Sequence, residues 1–152
     1  MSLTRANTEQ ILIRRCGKLL TAAGLDGTTV AGNNADLNDP LGWALRKSGY
    51  SVASVAAIAD ADLAAVSADD TDKLLDLAEL RALETILGNL DDVDITLGQR
   101  SESLSQLSAQ VEKKLTRLQA RVEKAYGVGI GTLQAGMITN LFAEHDTTDD
   151  DD

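Results

Sequence analysis

The sequence holds little of the side-chain chemistry on which enzymes and metalloproteins draw. One cysteine, one histidine and one proline stand among its 152 residues, and aromatics make up 3%. With Cys16 as the sole cysteine, no internal disulfide can form, and no Cys/His cluster is present for thiol catalysis or zinc binding. Cys16 falls beside an apolar stripe at helical spacing and reads as a small buried hydrophobe. His145 stands in an acidic stretch and reads as solvated, because a ligand or general base needs convergent partners. No apolar run approaches the ~18 residues of a membrane span, so no membrane partner is expected. The opening "MSLTRANTEQ" carries no apolar stretch behind a basic one. The expectation is a chain made in a cytoplasm and not exported by a standard signal.

Positive charge is also scarce. Fourteen Lys and Arg stand against 24 Asp and Glu, for a net charge of −10. A general nucleic-acid binder needs a basic surface to displace counterions, so sequence-specific DNA binding is not expected. "GVGIG" follows a helical pattern instead of a strand, which removes a dinucleotide loop. "DADLAAVSADDTD" lacks the alternating oxygen ligands, central Gly and terminal Glu of a calcium loop. "DDDD" reads as a solubilising end, and Trp43 as a core anchor. Neither a cofactor nor a catalytic residue is expected, and no internal repeat is visible.

What is present is helical periodicity. In "TRANTEQILIRRCGKLLTAAG", Ile11, Leu12, Cys16, Leu19, Leu20 and Ala23 recur at helical spacing, and Gly24 supplies a stop. A Gly/Asn/Asp/Thr-rich loop follows. A short second helix is predicted with Asp39 as cap and Pro40 at its first position, ending near Gly49. Asp60 is expected to cap a single turn over 61–65. Ser67 and Asp70 resemble a capping box at the head of a helix over 68–90. Leu74, Leu75, Ala78, Ala82, Ile86 and Leu90 form its stripe, and Leu77, Leu80, Leu83 and Leu87 widen it. So broad an apolar surface fits the central helix of a bundle, or one that also faces a neighbouring subunit. Leu104, Leu107, Val111, Leu115, Leu118, Val122 and Tyr126 mark a last amphipathic helix over about 103–126. Between the two, Val93, Ile95 and Leu97 alternate with polar residues. The pattern predicts an extended connector of about a dozen residues, lying on the protein's own core or on a neighbour.

Charge is unevenly spread. Residues 60–94 carry eleven acidic side chains against Lys73 and Arg81, net −9, and residues 100–126 carry six basic against three acidic, net +3. The basic face of the last helix is therefore expected to pair with the acidic segment, within a subunit or between neighbours. Asp76, Glu79 and Glu84 are the acidic candidates, and Arg117 and Arg121 the basic ones.

The order of these segments resembles the head–tail connector (adaptor, or head-completion) proteins of tailed bacteriophages and related gene transfer particles. The resemblance runs from about Leu3 to Tyr126. It is carried by the N-terminal helix, "AAGLDGTTVAGNNADLNDPLGWAL", the Leu-rich "LLDLAELRALETILGNL", "DITLGQRSESLSQL" and the final helix. It implies an all-α structural protein of the virion with no enzymatic activity. Such adaptors form dodecameric rings beneath the portal, bridge to a neck or tail-completion protein, and extend the channel through which DNA passes without sequence-specific binding. The expected architecture is a small helical bundle over 1–126 with a long connector loop, followed by an extended tail over 127–152. In that tail Val128, Ile130, Leu133, Met137, Ile138, Leu141 and Phe142 interrupt a Gly-rich, then acidic, segment. They are expected to dock on the portal first, or on a neighbouring adaptor, with folding back on the bundle as the alternative. A cytoplasmic helical-bundle interaction module is the other class of function that the same features allow, and an enzyme or nucleic-acid binder ranks below both.

Overall fold

The structure, a computed structural model, describes the backbone of residues 2–97 and 101–127, and side chains of 2–90 and 104–127. Its described residues form five α-helices and no strand, the all-α bundle that the periodicity predicts: α1 (Arg5–Ala22), α2 (Asn38–Lys47), α3 (Asp60–Ala64), α4 (Thr71–Leu97) and α5 (Ser101–Tyr126).

Helix α1 starts where the Thr4 hydroxyl accepts the Asn7 amide at 3.3 Å. It ends in a Schellman motif: Gly24 sits at φ 77°, its amide bonds Thr21 O, and the Leu25 amide reaches back to Leu20 O at 2.9 Å. Helix α2 stops the same way at Gly49 (φ 90°), with the Tyr50 amide on Leu45 O. Both stops agree with the sequence reading. The start of α2 differs. A 3-10 turn over Ala35–Leu37 precedes it, and the cap is Asn34, whose side-chain oxygen accepts the Asp36 amide at 3.1 Å. Asp39 and Pro40 lie inside the first turn of α2, and Asp39 instead accepts from Arg81 at 2.9 Å.

Two further starts are built differently from their sequence signals. Asp60 accepts the Arg5 amide, and it is Asp62 that caps α3 by accepting the Ala59 amide at 2.9 Å. Ahead of α4, Ser67 Oγ accepts the Asp70 amide at 3.3 Å, as the capping-box pattern predicts. The reciprocal partner is Tyr50: its hydroxyl accepts the Ser67 amide at 3.0 Å and donates to Asp70 at 2.6 Å. Asp is one methylene shorter than the usual Glu, and the phenol bridges the gap.

Helix α4 is the hub, packed on α1, α2 and α5. Leu74, Leu77, Ala78, Leu80, Ala82, Leu83, Ile86 and Leu90 are fully buried there. They meet Leu12, Cys16 and Leu20 of α1, Leu41, Ala44 and Leu45 of α2, and Val111, Leu118 and Val122 of α5 in one core. The wide apolar surface of α4 is thus accounted for by three neighbours within one chain. The expected extended connector is corrected: α4 continues as helix through Leu97, and α5 begins at Ser101. Val93 and Leu97 extend the series Ile86, Leu90 at steps of three and four, which is the helical period, and that register prevails over the local alternation.

The loop between α1 and α2 is fastened to α1. The Gly17 and Gly27 backbones touch: a Cβ on Gly17 would lie 2.7 Å from Gly27 O, and one on Gly27 would collide with Gly17 O and the Thr21 hydroxyl. Gly27→Ala is expected to cost about 1–3 kcal/mol, the range for overpacking. Gly88→Ala, where a Cβ meets nothing, should be neutral or stabilising by up to ~1 kcal/mol. Urea unfolding of the two variants checks this, and a Gly27→Ala chain as stable as its parent would contradict the close approach.

Candidate functional site

An open groove of about 580 Å³ lies where α1, α4 and α5 meet. Helix α4 contributes Asp72, Asp76 and Glu79, whose spacing of four and three puts them on one face. Arg15 comes from α1, and Lys114, Arg121 and Tyr126 from α5. Each of the two inner carboxylates takes two cations. Asp76 accepts from Arg15 at 3.0 Å and Arg121 at 2.8 Å, and from the Tyr126 hydroxyl at 3.1 Å. Glu79 accepts from Arg15 at 3.2 Å and Lys114 at 2.9 Å. Lys114 Nζ also donates to the Arg15 carbonyl at 2.9 Å.

The carboxylates are the buried half of this network, at 11% and 7% side-chain exposure, while Arg121 is 58% exposed. Removing one outer cation therefore removes a screened pair worth about 0–1 kcal/mol. Removing both would leave a nearly buried carboxylate without compensation, which is several-fold more costly. Burial, and then the charge of Asp76, push the Tyr126 phenol above its ordinary pKa, so it stays a donor at neutral pH. Chemically the groove is charge-balanced and cross-paired. It locks the C-terminal half of α5 against α1 and α4.

The five residues expected at a charged contact separate here. Asp76, Glu79 and Arg121 pair within one chain, and Glu84 bonds Arg81 at 3.2 Å, which also holds Asp39. Arg117 is exposed and has no ion pair among the described residues, although it lines a shallow pocket of about 220 Å³ with Glu79, Lys114, Leu118 and Arg121. The expected docking residues Val128, Ile130, Leu133, Met137, Ile138, Leu141 and Phe142, and also His145, lie outside the described residues.

Cys16 is buried, as its place on the stripe predicts. Its thiol donates to Leu12 O at 3.2 Å, and burial, with Glu79 nearby, pushes its pKa up to about 11. Trp43 is half-buried against the core, with Lys47 Nζ 5.7 Å from its ring centroid. Among the described residues, no cluster of His, Cys, Asp or Glu has the geometry of a metal site, and no helix is long and apolar enough to cross a membrane.

A second polar cluster has no counterpart in the sequence reading. Arg5 and Glu9, both on α1 and both buried, pair at 2.7 Å. Glu9 also accepts the amides of Gly32 at 2.7 Å and Asn34 at 2.9 Å, while Arg5 donates to Asn34 O at 2.7 Å. Asn34 in turn donates to Asp26 O and Thr29 O. Hydrogen bonds from Thr29 and Thr28 pull the Asp26 carboxyl down to about 2. These contacts hold the 25–34 loop, and the pairing is structural.

Comparison with protein-family models, curated proteins and solved structures finds no match to this chain.

Proposed function

We propose that this chain is a head–tail adaptor of a tailed phage or gene transfer particle. In this reading copies form a ring beneath the portal, extend the DNA channel and bridge to the neck or tail-completion protein. The order of helices is the observation that supports it. A capped N-terminal helix, a long fastened loop, a short helix, a Leu-rich hub helix and a final amphipathic helix follow one another in the sequence of segments that carries the resemblance. The role is structural, with no catalytic step.

Contacts between copies use the outer charges. Arg117 and the exposed end of Arg121 face the acidic surface of the next copy, where Glu84 and Asp39 are accessible. Such pairs set register more than affinity. The apolar positions among residues 128–142 dock on the portal. Reversing Arg117 to Glu should leave unfolding within about 1 kcal/mol of the parent, because Arg117 is exposed and holds no ion pair among the described residues. The same change should abolish incorporation into portal-bearing heads, read by co-sedimentation. Normal incorporation of the reversed chain would remove the charged contact from the proposal. A chain ending at Tyr126 should stay folded and fail to join heads.

A further inference from the structure

Helix α5 carries a row of cations of which the bundle uses only Arg121. Lys113, Arg117, Arg121 and Lys124 follow one another at steps of four, four and three, which aligns them on one face over about 16 Å. All four are exposed. Lys113, Arg117 and Lys124 have no hydrogen bond or ion pair among the described residues, and Arg121 gives one arm to Asp76. Four exposed cations in line, on a protein of net charge −10, form a local site for an acidic segment.

The same chain contains a segment of matching charge. Residues 144–152 hold six acidic side chains and no Lys or Arg. Sixteen residues separate Gly127, at the end of α5, from Glu144. A chain of that length reaches at most ~60 Å, several times the length of the row. Covalent attachment gives such a segment a millimolar effective concentration at a site it can reach, well above that of free acidic peptides. We infer that residues 144–152 cover the basic row of α5 in the same chain. The inference rests on the row, the charge of residues 144–152 and the reach between them, and does not need the ring reading. Within that reading it has a consequence. The row that supplies Arg117 and Arg121 to the next copy is masked in the free subunit, so the neighbour must displace residues 144–152 before assembly.

A spin label at Thr148→Cys tests it in the full chain. Cys16 is buried with a raised thiol pKa, so the label goes to the introduced thiol. Expected at low salt is loss of most amide-signal intensity for residues 113–124, with α2 unaffected. The loss should vanish in 1 M salt, where the Debye length is ~3 Å, and in the Lys113→Glu/Arg117→Glu/Lys124→Glu variant. That variant keeps its fold because none of the three holds another part of the bundle. Unchanged α5 signals in the labelled chain at low salt would overturn the inference, as would broadening that persists in 1 M salt. Broadening of unlabelled chains mixed with labelled ones, equal to that within a chain, would also overturn it by making a second copy the occupant.

Discussion

Glu9→Ala should lower the stability of the protein by about 3–5 kcal/mol, the cost of breaking a buried ion pair from one side. Three groups lose their partner together. Arg5, 3% exposed, keeps its charge in the interior, and the amides of Gly32 and Asn34 lose the carboxylate that accepts them. One other donor of Arg5, Nη1, is already buried without a partner, so the guanidinium has no reserve of hydrogen bonds. For a domain of this size each kcal/mol moves the melting temperature by roughly 2–4 °C, which makes the change measurable by calorimetry. Amide exchange should show the 25–34 loop opening first, because Glu9 is its anchor. A variant within 1 kcal/mol of the parent would mean that the loop is held by other contacts. Replacing Arg5 and Glu9 together by apolar residues should recover part of the loss, since no charge is then left unpaired.

Leu83→Asp should be at least as damaging. Leu83 is fully buried on the hub helix, in a core shared by α1, α2 and α5. Truncation to Ala alone would cost ~2–5 kcal/mol through lost burial and the cavity. A carboxylate adds the penalty of a buried charge, and the core around Leu83 is apolar. The sum approaches the whole stability of an ordinary domain, so the variant is expected to be largely unfolded at 25 °C by circular dichroism. A cooperative melt close to that of the parent would place Leu83 outside the core.

These two sites differ in how far they can be read from sequence. Leu83 was legible because apolar spacing at three and four residues reports a buried helix face directly. The same logic located Leu12, Cys16 and Leu20 of α1 and Val111, Leu118 and Val122 of α5, while Ile11, Leu19, Leu87, Leu104, Leu107, Leu115 and Tyr126 on the same stripes are only partly buried; Gly24 and Gly49 marked the ends of α1 and α2 through their left-handed conformation. The Arg5–Glu9 pair has no such signature. At a spacing of four it looks like one of the many exposed pairs on helix surfaces, and its burial depends on a loop that folds over it from 25 residues away. Arg15 was missed for the same reason: its partners Asp76 and Glu79 lie 61 and 64 residues along the chain. The segment 93–97 misled because β-branched residues alternate with polar ones there, while helix α4, already nucleated, extends through it at little cost.

The charged groove was partly legible. Opposite net charges on residues 60–94 and 100–126 predicted that the last helix would pair with the acidic segment, and Asp76, Glu79 and Arg121 do so within the chain. Which acids and bases meet depends on the rotation of α5 about its axis. That rotation is set by Val111, Leu118 and Val122 entering the core.

The adaptor reading is tested most directly by the composition of particles from the cell that encodes this chain. Mass spectrometry of purified particles, with cryo-electron microscopy of their head–tail junction, should find the chain as a helical ring in contact with the portal. Tailed particles that are complete and contain no copy of it would contradict the account.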